Sequence, residues 1–429
     1  MTELAELRSA VRGRVLLPGD EGYEEAARPW NLAIQQPVPA VVEAADADDV
    51  AALVRFAAER GLAVTAQAGG HGATGTDDAI LMRTRELTEL TVDPQARTAR
   101  VGAGVSWGRL QASAEQHGLT GLPGSSPVVS VTGYTLGGGL SWFGRAYGWA
   151  ADSVTAFEVV TADGRQSRVA EGDELFWALC GGGGDFAIVT AMELDLHPAP
   201  GLYGGRVMWP AAQAPRVLDA FRRIAATAPE ELTVWANLVQ FPGGAPPLVT
   251  FDATYLGDED TARRLLSPLD GIDGVVSDSR AVMRLSDLGT ITGEPADPRP
   301  GMSRAELLTG LDDDVVKALL AEPIDPLLSV QIRHLGGALA RPSDGPHGPL
   351  TEPYALYLYA IPHDPAAITA KQAALTGALG PYISGRKPYS FLSPGETVAA
   401  AFEAQALTRL QDIKRRYDPQ GVFRSNFPV

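Results

Sequence analysis

One histidine stands in a loop that has almost no side chains of its own, Gln67-Ala68-Gly69-Gly70-His71-Gly72-Ala73-Thr74-Gly75. Glycines on both sides permit backbone conformations and a close ligand approach that a Cβ would forbid, so the imidazole of His71 is presented to something. Gly70 to Gly75 also spells the dinucleotide fingerprint, but that fingerprint needs a helix next. Here Asp77-Asp78 and the strand-like Ala79-Ile80-Leu81-Met82 follow. A second irregular stretch runs from Gly121 to Gly139 and alternates glycine, proline and hydroxyl residues with small apolar ones. Backbone amides left free by such a loop form an anion nest suited to a pyrophosphate, with no lysine required. A third glycine run, Gly181 to Gly184, leads through Asp185-Phe186-Ala187 into Ile188-Val189-Thr190. It too mimics a dinucleotide fingerprint, with the wrong polarity: helix before and strand after.

Groups able to move a proton cluster further on. Tyr357 and Tyr359 share one face of a strand and Tyr354 lies on the other, while His334 shares a face with Val330 and Ile332. Three tyrosines so placed read either as a packed strand or as a catalytic row.

Composition limits the partners. The chain has 429 residues, is 45% hydrophobic and carries a net charge of −17 from 52 acidic and 35 basic residues. It can bury a large core, in two domains or in one with an insertion. An acidic surface disfavours nucleic acid and anionic membranes, because lysine and arginine supply most of that affinity. Cys180 is the only cysteine and the six histidines are scattered, so the sequence predicts no disulfide and no metal site. The N-terminus, Met-Thr-Glu-Leu-Ala-Glu, has acidic residues where a signal peptide needs a basic then apolar run, which predicts a cytoplasmic protein. Gly118 to Gly144 is uncharged, yet its Gly and Pro content argues for a ligand-cradling loop over a membrane span.

The positioning elements follow from periodicity. Asp46 to Asp49 supply a cap and first-turn carboxylates for a helix with Val50, Leu53, Val54 and Ala57 on one face, ended by Gly61. That helix feeds the strand before His71. A hairpin is predicted over 89–101, a helix from Ser106, a strand over 154–161, a helix over 174–179 and a strand continuing to Leu196. His197-Pro-Ala-Pro-Gly201 breaks the chain. Beyond it, strand-like runs at 232–241, 248–256, 329–335 and 354–361 alternate with helical stretches at 211–227, 258–267, 312–321 and 365–378. This pattern predicts an antiparallel sheet with helices on one face. Residues 268–300 read as loop, and 402–417 as a final helix before an ordered tail.

Together these pieces resemble the berberine-bridge-enzyme-like branch of the FAD-linked oxidases, the vanillyl-alcohol-oxidase or PCMH-type family, in its bacterial secondary-metabolism form. The parts are Gly19-Asp-x-x-Tyr23 with Trp30-Asn31 and Pro39, the Gly69-Gly70-His71 loop, the Ser126-Pro127 to Gly139 loop, Tyr147-Gly148 to Asp152, Gly182 to Thr190, and Tyr417-Asp-Pro-x-x-x-Phe-Arg-x-Asn426. The resemblance implies an α+β fold. A PCMH-type FAD-binding domain of two α/β subdomains would span 1–200, an antiparallel-sheet substrate domain 201–388, and a return to the FAD-binding domain 389–429. It implies FAD held by Gln67, Ala68, Gly69, Gly70, His71, Gly72, Gly75, Gly124, Ser125, Ser126, Val129, Gly133, Gly137, Gly138, Ile188, Val189 and Asn426. His71 would bond through its ring to the 8α-methyl of the flavin. Ser126 stands where some members carry a second, cysteinyl link, so one covalent link is the most this chain can make. Val129 matches a position where a small side chain leaves room for dioxygen.

Other positions depart from the family pattern. Gln67 replaces Arg, Cys180 replaces a basic residue, Asp185 replaces Asn and Ala187 replaces Gly, which predicts a less positive pocket. A His-Arg pair is replaced by Leu350-Thr-Glu-Pro353, which points away from a carbohydrate substrate. The family's Tyr-x-Asn-aromatic segment is matched by Tyr389-Ser390-Phe391, making Tyr389 the first candidate for acid–base work and Tyr357 the second. The implied activity is hydride transfer from an alcohol, amine or ring carbon of a mid-sized secondary metabolite to FAD, with dioxygen as acceptor and hydrogen peroxide as product. The alternative is an FAD-containing cyclase or binding protein without net redox turnover. The expected partners are a small-molecule substrate and dioxygen, with the chain a monomer or homodimer.

Overall fold

Sequence periodicity and capping chemistry account for the first layer. A computed structural model describes residues 2–76 and 78–429; of the Asp77-Asp78 pair noted above, Asp77 lies outside the described residues. The helix Ala47–Arg60 begins where the Asp46 side chain accepts from the amides of Asp48 and Asp49, and it ends at Gly61 with φ 63°. It crosses from the strand Val41–Glu43 to Ala63–Gln67, and both pair in parallel with Ala79–Arg83; Arg14–Leu16 completes the sheet antiparallel to Val41–Glu43. A second sheet is wholly antiparallel, in the order Leu90–Asp93, Thr98–Gly102, Ile188–Asp195, Val154–Val160, Gln166–Ala170. These are the two α/β subdomains expected.

The chain from residue 202 to residue 360 builds one large antiparallel sheet whose main path runs Ser277–Asp278, Leu202–Pro210, Leu248–Leu256, Leu232–Val239, Ser329–His334, Tyr354–Ala360, Met302–Leu308. Alternation divides its faces. Val207, Trp209, Val234, Ala236, Val249, Phe251, Val330, Ile332, Leu356 and Leu358 form one apolar core with helical residues such as Val217, Phe221, Val315 and Ile368. The opposite face is polar: Asp252, Thr250, Asn237 and Gln331 are buried on it, beside Trp235, Arg333 and Tyr357. Tyr354 belongs to the helix side and Tyr357 to the polar side, as alternation requires.

Three segments differ from the sequence reading. Leu202–Pro210 and Met302–Leu308 are strands that were not expected, and residues 268–300 are not all loop. Within that range Ser277–Asp278 and Ala281–Val282 pair with Leu202–Pro210, and Gly289–Thr292 is a short helix. Gly204-Gly205 reads as a break in a sequence. Here the glycine lets an edge approach, since a Cβ on Gly205 would stand 2.6 Å from the Ser279 carbonyl oxygen. Met302–Leu308 is masked by its charges: Arg304 pairs with Glu306 at 2.8 Å.

The polar face looks onto the first domain. Trp235 stacks on Trp142 with ring centroids 3.5 Å apart, and Trp30 Nε1 donates to Ala296 O. Asn31 exchanges hydrogen bonds with Gly301 at 3.0 and 3.1 Å. Arg145, buried at 5% exposure, donates to the carbonyls of Leu232, Ala228, Pro229 and Leu335 and meets His334 Nε2 at 3.0 Å. The tail returns to the first domain: Val64 N donates to Val422 O and Arg424 N to Val64 O, extending the strand that carries the His71 loop. Among the described residues no helix is long and apolar enough to cross a membrane.

Arg145→Met removes a buried cation from four carbonyls that then lose their donor, and the expected loss of stability is on the order of 3–5 kcal/mol. Urea unfolding measures it. A loss below about 1 kcal/mol would show that the carbonyls find water and that Arg145 does not hold the domains together.

Candidate flavin and substrate site

The strand Ala63–Gln67 delivers His71 to the seam between the two domains. Its ring lies under Trp30, centroids 4.3 Å apart and planes 17° from parallel. Nε2 is buried and has no hydrogen-bond partner. Burial pushes the His71 pKa down to about 4, because an imidazolium there would lose its hydration. The ring is therefore uncharged at neutral pH, with one of its two nitrogens a free base.

The amides of Ala68 through Gly72 and of Gly124, Ser125 and Ser126 donate to no acceptor among the described residues, unlike several in the neighbouring turns. Buried hydroxyls on the same side are also unpartnered: Thr132, Tyr134, Thr135 and Ser425. Folded proteins leave few buried polar groups unsatisfied. Such a cluster, on two glycine loops and a tail, fits a polar dinucleotide in place of intrachain partners. Ser130 caps the short helix Val131–Leu136 through the Gly133 amide, which fixes where Thr132, Tyr134 and Thr135 stand. Gly72 faces Asn426, and Thr74 Oγ1 donates to Asn426 O at 3.1 Å, so the tail closes over the His71 loop. Gly75 turns against Gln35 with φ +91°. Ser126 is buried, whereas Val129 is half-buried and packs on the core that holds Trp107. Ile188 and Val189 begin the strand behind the loops; Gly138 faces Trp149 and Gly137 faces Tyr389 and Ser390.

Two cations that motif reading missed stand behind the positions where the sequence predicts a loss of positive charge. Asp185 carries its charge next to Lys414, whose Nζ lies 3.4 Å from Oδ1 and 2.8 Å from Asp418 Oδ2. The same carboxylate accepts from the amides of Ser425 and Val429, so it ties down the tail and is not a free anion in the pocket. Arg83, wholly buried, donates to Gln67 Oε1 at 3.3 Å and to the carbonyls of Ala26 and Arg28. A cation thus stands behind Gln67 although the residue itself is neutral. Cys180 is buried and its thiol is pushed up to about 12, chiefly by burial.

The two candidate tyrosines are placed differently. Tyr389 is wedged between Gly137 and Gly183, packs on Phe402 and Phe427, and donates its hydroxyl to Phe427 O at 3.3 Å. Burial pushes its pKa well above the phenol range. Tyr357 lies half-buried on the polar sheet face beside Phe391, ring centroids 5.6 Å apart. Burial raises its pKa, while a hydrogen bond with Ser303 and the charge of Arg333 oppose the rise.

An FAD binding domain family model matches residues 38–170, and a berberine and berberine-like model matches residues 389–429. The chain is thus similar at both ends to the berberine-bridge-enzyme-like FAD-linked oxidoreductases. Among its relatives, (R)-6-hydroxynicotine oxidase of Paenarthrobacter nicotinovorans is 28% identical over 98% of this chain and 97% of its own. The FAD-linked oxidoreductase iacH of Pestalotiopsis fici is 25% identical over 100% of this chain and 91% of its own. The crystal structure of 6-hydroxy-D-nicotine oxidase from Arthrobacter nicotinovorans superposes with a TM-score of 0.84 at 26% identity, covering 96% of this chain and 97% of that one. A chitooligosaccharide oxidase shares the fold, with a TM-score of 0.86 at 19% identity and full coverage of both chains.

Burial keeps three imidazoles neutral: His71 and His197 are pushed down to about 4 and His334 to about 3, against an ordinary 6.5. Between about pH 6.5 and about pH 4 the unfolded chain binds protons that the folded chain does not, so their contribution is complete above that window and is lost as pH falls through it. Urea midpoints should fall across this window, and His197→Gln should make the decline shallower. An unchanged slope in His197→Gln would show that its imidazole is protonated in the folded protein.

Proposed function

We propose that this oxidoreductase is an oxidase that carries FAD on a single bond from His71 Nε2 and removes a hydride from an alcohol, amine or ring carbon of a mid-sized secondary metabolite. The observation that carries the reading is the buried, unpartnered Nε2 of a neutral imidazole, held under Trp30 at the mouth of a loop of free amides. Bound FAD supplies the two-electron acceptor, and dioxygen then takes those two electrons with two protons to give hydrogen peroxide. The protein's part is to bind, orient and move a proton. Trp30 and the glycine loop hold His71 so that its lone pair is available. The amides of Gly124, Ser125 and Ser126 and the hydroxyls of Thr132, Tyr134, Thr135 and Ser425 are placed to accept a polar cofactor's oxygens as partners. Ser126 has no thiol to offer, so the link at His71 is single.

Tyr357 serves as the acid–base partner of the reacting hydroxyl or amine, because it stands on the polar face where the charge of Arg333 opposes the rise that burial imposes on its pKa. Tyr389 serves instead as a wedge that spaces the glycine loops, since its hydroxyl is committed to Phe427 O. The kinship with a protein named for oxidising 6-hydroxynicotine favours a ring-bearing substrate over an oligosaccharide.

Protein precipitated in trichloroacetic acid should stay yellow, and His71→Ala should release its flavin to the supernatant; colour washing out of the wild type would end the covalent reading. Anaerobic mixing with substrate should bleach the flavin band, and air should restore it with one peroxide per turnover. Tyr357→Phe should slow bleaching by roughly a hundredfold or more, the usual scale of general-base catalysis, and flatten its pH dependence. Product formation without bleaching would point to a cyclase on the same fold.

A further inference from the structure

The polar sheet face balances its charges at one end and not at the other. Asp252, with no exposed surface, is held bidentately by Arg206 at 2.6 and 2.8 Å and receives a third hydrogen bond, from Asn237 Nδ2 at 3.0 Å. Because an ionised carboxylate only accepts, it fixes the orientation of the Asn237 amide. Asn237 Oδ1 in turn accepts from Gln331 Nε2 at 2.6 Å, which aims Gln331 Oε1 at Arg333. The chain of four side chains ends on a guanidinium held by one Nε–H bond.

Among the described residues nothing takes the rest of that guanidinium. Both Nη groups of Arg333 lack a hydrogen-bond acceptor, and no carboxylate among the described residues lies within ion-pair distance of it. The acidic groups that act on it through space are Asp252, which is saturated by Arg206 and Asn237, and Glu294, which is exposed and makes no ion pair with it. Aromatic rings wall it instead: Trp235 at 4.1 Å, Tyr357 at 5.1 Å and Phe391 at 5.3 Å from the guanidinium carbon to the ring centres. Rings of this kind stabilise a cation partly, but an unpaired arginine taken from water still costs several kcal/mol unless an anion joins it. Phe391 belongs to the segment that touches Gly137, so this cation faces the seam between the sheet and the glycine loops.

We propose that Arg333 is the substrate anchor, and that the substrate is a carboxylate-bearing aromatic molecule. The two Nη groups match the two oxygens of a carboxylate in fork geometry, which adds direction as well as strength. Tyr357 and Phe391 offer faces to the ring that carries the carboxylate. Gln331 is a positioning residue, since it sets the guanidinium plane through Nε. The reaction assigned to this substrate rests on the oxidase reading given above, but its binding does not.

Calorimetric titration of the purified protein with benzoate and with neutral, isosteric benzamide tests the anchor without using turnover. Benzoate should bind at least about tenfold more tightly than benzamide, a difference of about 1.4 kcal/mol. Arg333→Gln should erase that preference and leave benzamide unchanged, while Arg333→Lys should keep part of it. Equal binding of the two ligands by the wild type, or no benzoate binding, overturns the proposal. So does a folded Arg333→Gln that still prefers benzoate. If Arg333→Gln does not fold, the wild-type comparison and Arg333→Lys decide. A preparation without flavin that nevertheless prefers benzoate would sink the oxidase reading and leave the anchor standing.

Discussion

The position of the substrate sheet over the cofactor loops depends on one buried cation. Arg145 rises from the short helix Gly144–Tyr147 of the first domain and enters the end of the second, where it satisfies carbonyls at the start of the strand Leu232–Val239 and just past the strand Ser329–His334. A guanidinium has five donors in a rigid plane and no way to lose its charge at ordinary pH. It therefore demands a set of acceptors at fixed angles, and carbonyls at strand ends provide them. The adjacent Trp142–Trp235 stack adds direction to the contact, on the scale of about 0.5–1.5 kcal/mol beyond burial. With the hydrogen bonds of Trp30 and Asn31 to residues 296 and 301, the cation and the stack set the distance of the polar face from the cofactor loops.

Close to the cofactor loops the chain solves the opposite problem, since glycine-rich backbone has few side chains with which to hold itself. The tail supplies the ties. Lys414 donates to Asp185 O, Phe423 O and Asp418 Oδ2, and Asp418 accepts from the amides of Val422 and Phe423. One cation and two buried carboxylates thus set the path of the last residues, and these extend the strand that ends in the His71 loop. A substitution that looks electrostatic in the sequence, Asp at position 185, is mechanical in the structure.

Much of this was legible in advance. Capped helices such as Ala47–Arg60, the hairpin ahead of Ser106 and the strand Leu248–Leu256 carry local signals that match their global roles, and their bounds hold to within a few residues. The His71 loop was legible because a lone imidazole among glycines has no packing purpose. What stayed hidden is charge compensation across long separations. Arg83 against Gln67, Lys414 against Asp185 and Arg145 against strand-end carbonyls pair residues far apart in the chain, and no periodicity announces them. Arg333 left a faint trace, a cation in a strand otherwise made of apolar and amide residues. Leu202–Pro210, flanked outside only by two-residue strands, and the edge strand Met302–Leu308 were hidden for another reason: their glycines and charges serve the sheet margin, where sequence preference and burial part company.

The distribution of unsatisfied groups then carries the functional argument further than any single motif. Asp252, Asp185, Arg145 and Arg83 are buried and each is saturated by partners, because an uncompensated internal charge is costly. A protein able to saturate four such groups has the means to saturate a fifth. Among the groups left open are His71 Nε2, the hydroxyls of Thr132, Tyr134, Thr135 and Ser425, and the Nη groups of Arg333. The first five sit on the two glycine loops and the tail, and the last on the sheet that faces them. They bound one seam from both sides. A concentration of open groups on two facing surfaces, beside buried charges that are each compensated, is the pattern of a site whose partners come from solution, a polar cofactor against the loops and a charged substrate against the sheet.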